Sequence, residues 1–287
     1  MSLVLLLTLA GAVAPAVFLL HYVYARDKYE REPLALIVRV YLVSFLTVIP
    51  AIALELAGSA VLEGLGARAV VAAALMAFAV VGAAEEGTKF LFLRWLAFRR
   101  PEFNEPYDGI MYAVSVGLGF ATIENIGYVF SAPDLLGRVG LIAVRALSAV
   151  PAHALFGVLM GYYVGRAKFA GHERERHRLL WLGFLWPAFA HGWYDFPLLV
   201  LATEPAPGVA LLSLLALPVV IGALWVAGVR LIRRAQAHSP FKRPSPLVNP
   251  LAAMRRTYRF CTRCGTRVLG SDVFCAVCGT HLRPPVA

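Results

Sequence analysis

The stretch Val80–Phe92 reads VVGAAEEGTKFLF. Two adjacent carboxylates and an ammonium, Glu85, Glu86 and Lys89, stand inside an apolar run covering about residues 67–93. A helix rising about 1.5 Å per residue needs roughly 20 apolar residues to cross the hydrocarbon of a bilayer, so this run is long enough. On helical spacing Glu85 and Lys89 are i,i+4 and Glu86 and Lys89 are i,i+3, so one ammonium reaches either carboxylate. Two neighbouring carboxylates in a low dielectric do not both ionise without such a cation. A charge at the bilayer centre costs about 2.5–3.5 kcal/mol on insertion scales. The string therefore marks a membrane helix whose polar groups face a protein interior.

Working outward, six more apolar runs appear, at about 3–24, 34–57, 109–131, 139–165, 179–201 and 207–231. The first has no basic n-region and continues to Tyr24, so it reads as a span rather than a cleaved leader. Lys and Arg in the successive loops and the tail number 3, 1, 3, 1, 5, 0 and 11. Positive charge resists translocation, so the rich segments are expected in the cytoplasm. The fold expected is an all-α polytopic protein of the plasma membrane. It has about seven transmembrane helices, its N-terminus outside and its C-terminus inside. Composition agrees: 60% of the 287 residues are hydrophobic and 15% charged, which excludes one soluble globule and a disordered chain alike. The net charge of +10 is then mainly a topology signal, and nucleic acid is not needed to explain it.

Three units are expected: a multi-span membrane domain over 1–235, a Pro-rich basic linker over 236–257, and a small module over 258–284. That module reads Cys261-Thr-Arg-Cys264-Gly265, then Cys275-Ala-Val-Cys278-Gly279. Two CxxC pairs at this spacing supply four thiolates for a tetrahedral structural zinc. So few residues bury little core, and the metal supplies the folding energy. In the reducing cytoplasm a disulfide pair is disfavoured. The ribbon is read as a docking module for a cytoplasmic protein, with nucleic acid as the other partner its basic surface suits.

Glu85 and Glu86 have polar company on the next three runs. Glu124 and Asn125 lie in GLGFATIENIGYVF, His153 in SAVPAHALFGVLMGYY, and His191 and Asp195 in PAFAHGWYDFPL. His191 and Asp195 are i,i+4, so the carboxylate can fix the imidazole tautomer and leave the other nitrogen for substrate, water or metal. Glu55 and His21 fall near span ends and read as ordinary boundary residues. Arg145 is expected either to pair with a carboxylate or to snorkel outward. Six acids and imidazoles on four consecutive helices are unlikely glue, so a functional centre is expected.

These strings, in this order, resemble the PrsW family of intramembrane proteases, distant relatives of the CAAX-prenyl-protease-like membrane proteases. The matching elements are Glu85-Glu86-x-x-Lys89, Phe120-x-x-x-Glu124-Asn125, His153 and His191-x-x-x-Asp195. The resemblance implies hydrolysis of a peptide bond in or beside the bilayer, in a membrane-anchored protein such as an anti-sigma factor. No Ser or Cys stands with a His as a nucleophile pair, so an activated water is expected. Glu85 or Glu86 is the candidate base, Glu86 slightly favoured by its i+3 relation to Lys89. Glu124, His153 and His191 are candidate ligands of the water or of a catalytic zinc, Asp195 orients His191, and Asn125 is the neutral oxyanion candidate. Two His and one Glu form an open zinc set, which favours a metalloprotease; without a His-Glu-x-x-His string the ligands come from separate helices, and a metal-free water held by His is the alternative. The same buried groups would also serve a proton-coupled transporter, or a non-catalytic sensor acting through its ribbon.

Overall fold

The computed structural model describes residues 2–66, 68–203, 206–242, 258–269 and 272–282. The chain divides into two units, Met1–Lys242 and Arg243–Ala287.

The first unit is built, among the described residues, from seven helical rods. They are α1 (Leu3–Ala25), α2 (Leu34–Val43) continued by a 3₁₀ turn into α3 (Val48–Leu65), and α4 (Ala69–Leu75) continued by a π-helical turn (Met76–Val81) into α5 (Gly82–Leu96). Next come α6 (Pro106–Ser131), α7 (Leu135–Leu147) followed by α8 (Ala149–Lys168), α9 (Glu173–Thr203) and α10 (Pro207–Ala237). Six rods are long and apolar enough to cross a membrane. The seventh, α9, is as long, but it carries His191, Asp195 and three tryptophans, which lower its hydropathy. Prolines inside α1, α9 and α10 are tolerated because neighbouring helices and local adjustments re-satisfy the freed carbonyls.

The unit is inside-out relative to a soluble protein. Large apolar side chains such as Leu7, Phe18, Leu136, Leu212 and Val219 lie exposed on its outside. Its centre is α6, buried from Tyr107 through Thr122. Glycines set how closely α8 approaches it. A Cβ on Gly109 would stand 2.5 Å from the Gly161 carbonyl, and one on Gly117 would stand 2.8 Å from that of His153. Small residues at these crossings let helices meet backbone to backbone, the usual route to packing in lipid.

Two expectations change. The run read as one span over 139–165 is bent: α7 ends at Leu147, Ser148 leaves helical geometry, and α8 starts afresh. The linker expected from 236 starts later, because α10 runs to Ala237 and the residues after it are packed. Gln236 donates to the Arg26 carbonyl at 2.6 Å and Ser239 hydrogen-bonds Glu105. Residues 243–257, the rest of that linker, lie outside the described residues.

In the second unit β1 (Tyr258–Phe260) pairs antiparallel with β2 (Arg267–Leu269). Each CxxC closes a knuckle of the same design. Gly265 N–H donates to the Cys261 carbonyl at 2.9 Å, and Gly279 N–H to that of Cys275 at 2.8 Å. Gly265 and Gly279 sit at φ 73° and 67°, the left-handed region that side chains resist.

Candidate active site

The centre is assembled by close helix approaches. The π turn before α5 resets the helical phase, as such turns often do at functional sites. Gly82 then lets α5 lie against α9, where a Cβ would stand 2.6 Å from the Ala188 carbonyl. Gly192 leaves room for the Phe78 ring of the π turn. Between these two contacts Glu85 and Glu86 face His191.

Lys89 is the hub. Its Nζ lies 2.9 Å from Glu85 Oε2, 2.8 Å from Glu86 Oε1 and 3.1 Å from His153 Nδ1, and 3.9 Å over the Phe120 ring. An ammonium has three donors and no acceptor, so all three are used here. It follows that His153 Nδ1 accepts and that Nε2 carries the proton. That Nε2–H points at Glu124 Oε2, 2.8 Å away. The same oxygen pairs with Arg145 at 2.8 Å, and Arg145 Nε donates to Asn125 Oδ1 at 2.7 Å.

His191 bridges two acids, with Nδ1 3.0 Å from Glu86 Oε1 and Nε2 3.2 Å from Asp195 Oδ2. Ionised carboxylates only accept, so this chain stores a proton on the ring or on one of its acids. Phe156 stacks on the His191 ring at 4.7 Å between centroids. A cavity of about 840 Å³ opens on one side, lined by Glu55, Glu85, Glu124, Arg145, His191 and Asp195 among others. Glu86 and Lys89, each 1% exposed, sit behind that wall.

Every expected membrane residue therefore joins one network, Asn125 only through Arg145. Asn125 is turned away from the carboxylates: its Nδ2 donates to the Ala12 carbonyl at 2.6 Å and its oxygen receives Arg145. Of the two roles expected for Arg145, pairing with a carboxylate is the one it takes, at Glu124. Glu55, expected as a boundary residue of a run closing near 57, lies at the cavity because α3 continues to Leu65.

For a metal, ligand atoms of Glu85, Glu86, His153 and His191 lie within 4.8 Å of one another. The donor set suits zinc. It pairs the two imidazoles with the α5 carboxylates rather than with Glu124, and Lys89 donates to three of the four, so metal and ammonium would share acceptors. In the ribbon, Cys261 and Cys278 Sγ are 3.6 Å apart and Cys264 and Cys275 Sγ 3.5 Å. Thiolates about 2.3 Å from a tetrahedral zinc stand close to this spacing. The four cysteines fit a structural zinc. One zinc per chain is expected to be lost in Cys275→Ser, with the tryptophan melt of the membrane unit unchanged, since all five tryptophans lie there.

Buried acids and imidazoles facing a cavity inside a polytopic helical bundle are the groups an intramembrane hydrolase needs. Residues 32–224 match the family described as PrsW family intramembrane metalloprotease, and residues 260–282 match a zinc-ribbon domain. Protease PrsW of Geobacillus kaustophilus is 39% identical over 233 residues, 80% of this chain and 93% of that protein. Protease PrsW of Oceanobacillus iheyensis is 33% identical, over 80% and 97%. Protease PrsW of Bacillus subtilis is 35% identical, over 68% and 84%. No solved structure matches the chain. The chain belongs to the PrsW family of intramembrane proteases and carries a C-terminal zinc ribbon.

Proposed function

We propose that this protease hydrolyses a peptide bond of a membrane-anchored protein with a water activated in the 840 Å³ cavity. The observation that carries the reading is the convergence of Glu85, His191, Asp195 and Arg145 on that cavity, with Lys89 and Glu86 behind them. Glu85 is the base: its carboxylate lines the cavity, whereas Glu86 is buried against Lys89 and His191. It takes a proton from the water as the oxygen attacks the scissile carbon. Arg145, held by Asn125 and Glu124, faces the developing oxyanion in place of Asn125, whose amide is turned to the Ala12 carbonyl. His191, supplied by Asp195 and Glu86, gives a proton to the leaving amine as the C–N bond breaks. The products are one carboxylate and one amine. A metal held by Glu85, Glu86, His153 and His191 would supply Lewis-acid polarisation and a more acidic water.

The loop charges support seven spans, with the N-terminus outside and the ribbon in the cytoplasm, where it would dock a cytoplasmic partner. The family resemblance points to an anti-sigma factor as the substrate. The test is cleavage of single-span reporter peptides by the purified chain in liposomes. Cleavage is expected with no hydroxylamine-trapped acyl product, and His191→Ala is expected to be inactive. Full activity in His191→Ala would sink the assignment.

A further inference from the structure

The basic loops that signal topology hide an acidic interior. Asp27 and Glu32, from the α1–α2 loop, are 3% and 1% exposed, and Asp108, in the first turn of α6, is fully buried. Glu105 caps the same helix and Glu30 flanks the group. Oxygens of Asp27, Glu105 and Asp108 lie within 4.8 Å of one another, as do those of Glu30, Glu32 and Asp108. Asp108 belongs to both triads.

Hydrogen bonds account for only part of this charge. Asp108 Oδ2 accepts the N–H groups of Asn104 and Glu105, each at 2.7 Å. Glu32 Oε2 accepts from Tyr112, and Glu105 Oε2 from Ser239. Both oxygens of Asp27, Oε1 of Glu32 and Oδ1 of Asp108 are buried with no hydrogen bond of normal geometry among the described residues. The backbone N–H groups of Glu32 and Tyr29 ease the Asp27 charge only in part. Lys168 faces the group, but its ammonium donates to the Phe98 and Arg100 carbonyls, both at 2.8 Å. Burial, with Glu105 and Glu30 beside it, pushes the Asp27 carboxyl up to about 7. Burial pushes Glu32 up to about 7 as well, against the hydrogen bonds it makes with Tyr112 and with the Asp108 carboxyl. Orphaned buried oxygens are costly, and more so when charged, so several in one place call for an occupant.

We infer that Asp27, Glu32 and Asp108, with Glu30 and Glu105, bind a hard divalent cation, Mg²⁺ or Ca²⁺, that pins the α1–α2 loop to the start of α6. The donors are all oxygen, which selects these ions over zinc. The site is separate from the α5 and α9 groups of the active centre and contains no imidazole or thiolate.

The test uses the full chain in uncharged detergent, with Mg²⁺ and Ca²⁺ titrated separately. Tryptophan fluorescence reports melting of the membrane unit. A rise of about 5 °C at saturation is expected with at least one ion. Asp27→Asn and Glu32→Gln, both near-isosteric, should abolish that rise and should melt higher than the parent in chelator, because each removes an unpaired charge. Glu85→Gln should keep the rise. No response of the parent to either ion, or a full response in Asp27→Asn and Glu32→Gln, would overturn the proposal. So would a cation-insensitive melting temperature that falls as pH rises from about 4 to 7. That is the signature of carboxyls holding protons instead, since raised folded-state pKa values stabilise only below them.

Discussion

Glu85→Gln is expected to lower reporter cleavage by about 10³-fold, the scale of losing a general base. KM should hold, and the membrane unit should melt within a few degrees of the parent. The neutral amide keeps the side-chain volume and can still accept from Lys89, now 2.9 Å away. What disappears is the ability to take a proton from water at the cavity wall. Glu86→Gln should behave differently. Glu86 holds His191 Nδ1 at 3.0 Å and does not line the cavity, so it acts through the imidazole. Its loss should reduce kcat less and displace the pH–rate profile, because the proton stored between Glu86 and Asp195 loses one acceptor. Parallel pH profiles of the two variants measure this. A silent Glu85→Gln beside a dead Glu86→Gln would exchange the two roles.

The pairs legible in the sequence are those that a helix makes by itself. Glu85–Lys89, Glu86–Lys89 and His191–Asp195 follow from spacing alone and stand at 2.9, 2.8 and 3.2 Å. The contacts that join helices were not legible. Lys89–His153 and Glu86–His191 depend on where Gly82, Gly117 and Gly192 let backbones meet, and periodicity carries no such information. Span limits failed for a similar reason. Ser148 is unremarkable in sequence yet breaks the fifth run, and the π turn is invisible in an apolar string. The loop acids were missed for the opposite reason. Asp27 and Glu32 sit among Arg and Lys, as solvated loop residues do, but the α1–α2 loop folds inward and buries them beside Asp108 of α6.

Lys89→Met should give the largest combined loss. One ammonium serves Glu85, Glu86 and His153, so its removal strands two adjacent buried carboxylates. Breaking a buried pair from one side costs about 3–5 kcal/mol. At about 2–4 °C per kcal/mol for a unit of this size, the tryptophan melt should fall by about 10 °C. Cleavage should fall more than 10²-fold, because His153 loses the donor that fixes its tautomer and Glu124 loses its aligned N–H. The destabilisation should be suppressible. Adding Glu86→Gln to Lys89→Met removes one stranded charge and should recover several degrees, a coupling that two independent lesions would not show. Activity should not return with stability, since the base and the proton store remain unorganised. The same cycle separates the two electrostatic readings of the centre. If the ammonium is the resident cation, the single variant is unstable at any zinc concentration. If a metal displaces it in the working enzyme, zinc should restore the melting temperature and cleavage of Lys89→Met, whose four remaining ligands would then have one cation to share.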